Sequence, residues 1–257
     1  MATPFDLTGT AALVTGGNSG IGLGMARSLV EAGADVAIWG TNAEKNATAA
    51  AELDALGTST VVAVPCDVGD EGQVEAAFAE TVAALGKVDA CFANAGVGGG
   101  GAASFMEMTL DDWRRVQRVN SEGAFLTLRA AARHMVERGE GGSLVGVASL
   151  AAISGQAKGQ SYAHSKGGMI SMIKAIAVEL ARYGVRANSL LPGWIDTPMT
   201  EGTLGWDRFV EKVMPRIPMR RWGEPGDFGG IAVYLASPAS AYHTADTFLI
   251  DGGYAAF

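Results

Sequence analysis

Tyr162 and Lys166 lie four residues apart in the run Ser161-Tyr162-Ala163-His164-Ser165-Lys166, and Ser149 precedes the tyrosine by thirteen. On a helix, positions i and i+4 share one face, so the Lys166 ammonium would stand beside the Tyr162 phenol. A phenol ordinarily ionises near pH ~10, and a fixed neighbouring cation favours its phenolate. Tuned this way, a phenol can exchange a proton with an alcohol or a ketone close to neutral pH. By itself the five-residue pattern is more often a helix with a surface Tyr and Lys. Its company decides its meaning.

Near the N-terminus, Thr10-Ala11-Ala12-Leu13-Val14-Thr15 reads as a short buried strand. It runs into Gly16-Gly17-Asn18-Ser19-Gly20-Ile21-Gly22 and then into an apolar helical pattern through Leu23, Met25, Ala26, Leu29 and Val30. A strand, a glycine turn and a helix start together make a pyrophosphate cradle: free N–H groups, a partial positive charge and room for close approach. No Gly-Lys-Ser/Thr follows, which excludes a nucleoside-triphosphate loop.

The elements that must position these groups alternate along the chain. Strand patterns occupy 11–15, 35–39, 60–64, 88–93, 143–147, 186–190 and 247–250; helix patterns occupy 21–32, 43–56, 71–85, 120–138, 160–183 and 225–235. Such alternation predicts a parallel α/β sheet with helices on both faces. Ligands of such sheets bind beyond the carboxyl ends of the strands, where loops from distant segments converge.

In order, Thr15-Gly16-x3-Gly20-Ile21-Gly22, Asp67-Val68, Asn94-Ala95-Gly96, Asn120-x2-Gly123, Ser149, Tyr162-x3-Lys166 and Pro192-Gly193 resemble the motif series of the short-chain dehydrogenase/reductase family. The resemblance extends from Leu13 to Tyr254. It implies one Rossmann-type doubly wound domain over residues 1–257, seven strands in the order 3-2-1-4-5-6-7, and a substrate lid at about 196–220. It also implies an NAD(P)(H)-dependent oxidoreductase that interconverts a secondary alcohol and a ketone.

Carried over residue by residue, the resemblance makes Tyr162 the acid/base and gives Lys166 the nicotinamide ribose and the lowering of the Tyr162 pKa. Ser149 would hydrogen-bond the substrate oxygen, and the Asn120 side chain, opening a helix, would hold a water linking Lys166 to solvent. Gly16, Asn18, Ser19, Gly20, Ile21 and Gly22 would cradle the pyrophosphate. Asp67 would accept from the adenine amino group, with Val68 behind the ring and Asn94, Ala95 and Gly96 along the adenosine ribose. Pro192, Gly193, Ile195 and Thr197 would fix the nicotinamide. Family members using NAD usually carry Asp where this chain has Gly40, and those using NADP usually carry Arg where it has Thr41. Neither signal is present, and Thr41, Asn42 and Lys45 could bind a 2′-phosphate, which leans the expectation slightly to NADP.

Leu150, Gln156, Trp194, Met199 and Trp206 are expected to shape the substrate pocket with Ser149 and Tyr162, and the run 98–101 to form its rim. Motifs in the last third resemble enzymes acting on sugar acids and polyols. The same motifs occur in 3-oxoacyl-carrier-protein reductases, with Arg216, Arg220 and Arg221 at the mouth. A rival from another class is a non-catalytic nucleotide sensor on the same fold, but none of Asn120, Ser149, Tyr162 and Lys166 is lost.

Composition bounds the rest. A net charge of −8 over 257 residues argues against nucleic acid as a partner. No apolar run reaches the ~20 residues of a membrane span. Cys66 and Cys91 sit in or beside apolar strands and read as buried thiols, consistent with a cytoplasmic protein. The three histidines lack ligand spacing, so no metal is expected. Apolar residues around the helices near Asn120 and Gln160, with the apolar end Tyr254-Ala255-Ala256-Phe257, predict a homotetramer.

Overall fold

The computed structural model describes residues 3–57, 59–99 and 104–256. Seven strands, β1 (Ala11–Thr15), β2 (Asp35–Gly40), β3 (Val61–Pro65), β4 (Ala90–Ala93), β5 (Gly142–Val147), β6 (Val185–Pro192) and β7 (Thr247–Ile250), form one sheet in the order 3-2-1-4-5-6-7. Every pairing is parallel, from Ala11 opposite Asp35 to Pro192 opposite Ile250. Strand order reverses between β1 and β4, so the loops after these two strands part and leave a crevice.

Helices α1 (Gly20–Glu31) and α2 (Ala43–Asp54) share one face with α9 (Gly229–Ala236), where Met25, Leu29, Leu53 and Leu235 pack with Val36, Phe92 and Val145. The other face carries α3 (Glu71–Leu85), α5 (Gly123–Arg138) and α6 (Gln160–Leu180), through Phe78, Leu128, Met135, Met169 and Ile173. Truncating a fully buried ring such as Phe92 to Ala would cost about 3–5 kcal/mol. α6 lies directly on β5 because Gly146 has no side chain: a Cβ there would stand 2.6 Å from Met169 Sδ. That contact sets the height of Tyr162 and Lys166 above the sheet.

One helix lies outside the expected set, α4 (Leu110–Gln117). Its capping box, Thr109 with Asp112, was present in the sequence. α4 runs through a π-helical turn, Arg118–Glu122, straight into α5. Asn120 therefore does not open a helix, as the sequence suggested, but sits inside a continuous helical run. Two short helices, α7 (Glu201–Leu204) and α8 (Asp207–Val213), follow β6 in the expected lid region. Gly100, Gly101 and Phe257 lie outside the described residues.

Candidate active site

Two cavities meet at the carboxyl edge of the sheet, sharing Met199. The first is a cleft of about 430 Å³ at the β1/β4 crevice. It is lined by Gly16, Asn18, Ser19, Gly20 and Ile21 from the β1 loop, by Gly40 and Thr41 after β2, and by Asp67, Val68, Asn94, Ala95, Gly96 and Thr197. The second, of about 450 Å³, is lined by Ser149, Leu150, Gln156, Tyr162, Gly193, Trp194 and Met199.

The first cleft fits a dinucleotide. Ser19 places no side chain on the N-terminus of α1, and that first turn contains no acid, so its N–H groups stay available to an anion. Gly16 turns at φ +63, a left-handed value that only glycine adopts cheaply. The Thr15 hydroxyl accepts from the N–H groups of Asn94 and Ala95, both at 3.0 Å, while Asn94 Nδ2 donates to the Thr15 carbonyl at 2.9 Å. These bonds lock the two walls together.

Asp67 is partnered in a way the sequence did not announce. Its Oδ1 accepts from the Gly69 N–H at 3.0 Å, and Oδ2 pairs with Arg118 at 2.9 Å. Arg118, in the π turn, lines the same cleft, a charged wall that sequence reasoning missed. N-capping of α3 falls to Asp70 rather than Asp67. Several expected contacts support the cleft from behind. Asn42 spends its side chain capping α2 at the Lys45 N–H, 2.9 Å away. Gly22 packs beneath the loop against the Gly16 carbonyl. Pro192 ends β6 and Ile195 is buried below it.

The chemical groups converge at the junction. Ser149 follows β5 and caps a short 3-10 turn, accepting from the Ala151 N–H at 3.1 Å. Tyr162 and Lys166 come from the first turns of α6, with Lys166 Nζ 5.6 Å from the centre of the Tyr162 ring. Lys166 is buried and donates to the Val147 carbonyl at 2.7 Å. Burial pushes its ammonium down to about 8. Burial also pushes the Tyr162 phenol up, against a hydrogen bond to Ser149 that lowers it. Desolvation disfavours the charged form of both groups, and at the phenol it is the Ser149 hydrogen bond, not Lys166, that opposes it.

Asn120 is buried and committed. Its Oδ1 accepts from the Val97 N–H at 2.8 Å, and Nδ2 donates to the Val97 carbonyl at 3.0 Å and to Ser165 Oγ at 3.1 Å. Its side chain braces the loop after β4, with both Nδ2 protons spent and one lone pair of Oδ1 left over. Trp206 is a second correction. It begins α8 at 57% exposure and does not line the cavity, because α8 turns Phe209 and Val213 inward instead. His164 packs tilted against Trp113, ring centres 4.8 Å apart, and its Nδ1 lies 3.1 Å from Gln117 Oε1.

Sequence reasoning missed Lys158, Thr200, Thr203 and Tyr254 in the second cavity; among the described residues lining it, Lys158 alone carries a charge. It adopts φ 64, rare for a residue with a side chain. Trp194 holds a buried indole N–H with no partner among the described residues.

Residues 16–255 match the protein family described as enoyl-(acyl carrier protein) reductase. L-rhamnose 1-dehydrogenase (NAD(P)(+)) of a Sphingomonas species is 38% identical over 96% of each chain. The chain belongs to the short-chain dehydrogenase/reductase family. The 3-oxoacyl-[acyl-carrier-protein] reductase of Chlamydia pneumoniae is 36% identical over 96% of this chain and 97% of its own. A crystal structure of gluconate 5-dehydrogenase from Burkholderia cenocepacia, in complex with NADP and tartrate, superposes with a TM-score of 0.93 at 35% identity, covering 99% and 98% of the two chains. As a member, the protein is an NAD(P)-dependent oxidoreductase acting between alcohols and ketones.

Proposed function

We propose that the substrate is a sugar acid or polyol, bound in the second cavity with its reacting carbon between Ser149, Tyr162 and the first cleft. When bound, the dinucleotide supplies or takes the hydride at its nicotinamide ring. Everything else belongs to the chain. Ser149 donates a hydrogen bond to the reacting oxygen, where charge develops. Tyr162 gives that oxygen its proton in reduction and takes it back in oxidation. Lys166, held on the Val147 carbonyl, binds the nicotinamide ribose, and Asn120 braces the floor of the crevice. The segment 196–220 closes over the substrate as a lid on one undivided domain. NADP is slightly favoured, because no carboxylate from Gly40 or Thr41 opposes a 2′-phosphate. The enzyme works in the cytoplasm as a homotetramer; the exposed Phe125 and Val178 on α5 and α6, with Leu249 on β7, support that assembly.

The observation that carries the substrate class is the polar part of the cavity's lining: Ser154, Gln156, Lys158 and Thr203, beside Ser149 and Tyr162. A polyhydroxy acid satisfies such a wall; a hydrocarbon leaves it desolvated and unpaired. The carrier-protein reading fares worse. Arg221 is tied to Asp227 by two bonds of 2.7 Å, Arg216 lies 4.4 Å over the Tyr254 ring, and Arg220 donates to the Pro215 carbonyl at 2.7 Å. A panel of sugar acids, polyols, cyclic ketones and 3-oxoacyl thioesters with both dinucleotides, read at 340 nm, tests the proposal. Sugar acids should lead, and Lys158→Ala should raise KM about tenfold for carboxylates but leave neutral polyols unchanged. Preference for the thioesters would overturn the reading.

A further inference from the structure

At the end of β2 the structure assigns Asn46, a residue of α2 outside every motif above, as the positioning residue of the first cleft: it fixes the Asn18 carboxamide over Gly40. Asn46 is 2% exposed. Its Nδ2 donates to the Gly40 carbonyl at 2.9 Å, and its Oδ1 accepts from Asn18 Nδ2 at 2.7 Å. A carbonyl can only accept, so the Gly40 oxygen dictates which end of the Asn46 amide faces it. The opposite end then dictates which end of Asn18 turns inward. The relay occupies the exact volume that a side chain at position 40 would need: a Cβ on Gly40 would lie 2.2 Å from Asn18 Nδ2 and 2.6 Å from Asn46 Oδ1. Gly40 is thus more than the loss of a carboxylate. It is the gap through which a second-helix residue reaches the glycine loop.

Asn18 lines the cleft and keeps one N–H and its Oδ1 free of protein partners among the described residues. A neutral amide that can both donate and accept therefore stands at the end of β2, held in one orientation by Asn46. Pre-setting this group lowers the ordering cost of binding a dinucleotide between the glycine loop and the end of β2. The inference rests on the dinucleotide reading of the cleft, and binding measured without substrate separates the two.

Fluorescence titration of the purified protein with NADPH and with NADH gives the dissociation constants for wild type, Asn46→Ala, Asn18→Ala and the double variant, with thermal melting run on each. If Asn46 acts through Asn18, each single change weakens the tighter-binding dinucleotide about fivefold, the worth of one hydrogen bond, and the double variant is no weaker than either. Unchanged binding in a folded Asn46→Ala variant would overturn the proposal. So would losses that multiply in the double variant, which would mean that Asn46 acts independently of Asn18. Should Asn46→Ala fail to fold, Asn46→Ser takes its place in the same cycle. Failure of the wild type to bind either dinucleotide would instead sink the functional reading itself.

Discussion

At the residue scale, Tyr162 and Lys166 share one face of α6, with Lys166 Nζ 5.6 Å from the centre of the phenol ring. Spacing says that two groups are neighbours. It does not say how much water each has lost, and here burial raises the phenol and lowers the ammonium to about 8. A raised phenol stays protonated through neutrality, so the group is set to give a proton before it is set to take one. Reduction of a ketone should accordingly hold a constant kcat/KM from about pH 5 to 7, below the pH at which the Lys166 ammonium begins to lose its proton. Oxidation of the alcohol needs the phenolate, and its kcat/KM should climb with pH into the alkaline range, about tenfold per unit. Rate profiles in both directions check this, and an oxidation rate that is already level at pH 6 would contradict it. Lys158 was invisible for a related reason: nothing in a lone lysine says that its loop folds at positive φ onto the wall of a cavity.

At the element scale, the seven strands and their order followed from the alternation of patterns and the family resemblance, with ends displaced by a residue or two. α4 escaped because it is only eight residues long and half charged, although Leu110, Trp113 and Val116 recur at helical spacing and Thr109 and Asp112 mark its start. The π turn after it has no sequence signature at all, and it is what carries Asn120 and Arg118 to the crevice. The seat of α6 on β5 gives a test of how elements place chemistry. Gly146→Ala puts a methyl 2.6 Å from Met169 Sδ and 2.9 Å from Ile173 Cγ1, so these side chains must shift and α6 with them. The variant should lose about 1–3 kcal/mol of stability and most of its turnover, though it touches neither Tyr162 nor Lys166. Urea unfolding and initial rates measure both, and Met169→Ala in the same chain should recover part of each. A Gly146→Ala enzyme of normal stability and rate would mean that α6 is positioned by something else.

At the scale of the whole molecule, the fold brings loops from six strands to one edge, so residues as far apart as Asn18 and Met199 share one cleft. The sequence announced that convergence; it could not announce which side of each loop faces inward, and Trp206 and Asn42 turned away for that reason. Assembly belongs to this scale as well. Light scattering at micromolar concentration should give the mass of four chains of 26.4 kDa; a monomeric mass would contradict the tetramer. The central claim is that the two cavities meet where Tyr162 moves the proton that accompanies the hydride. Tyr162→Phe keeps the ring and removes that proton, so the most direct measurement is kcat/KM of this variant beside its dissociation constant for the dinucleotide. Tyr162→Phe should lose at least about a thousandfold in kcat/KM while dinucleotide binding stays within about twofold of wild type. Retention of most of the activity would contradict it.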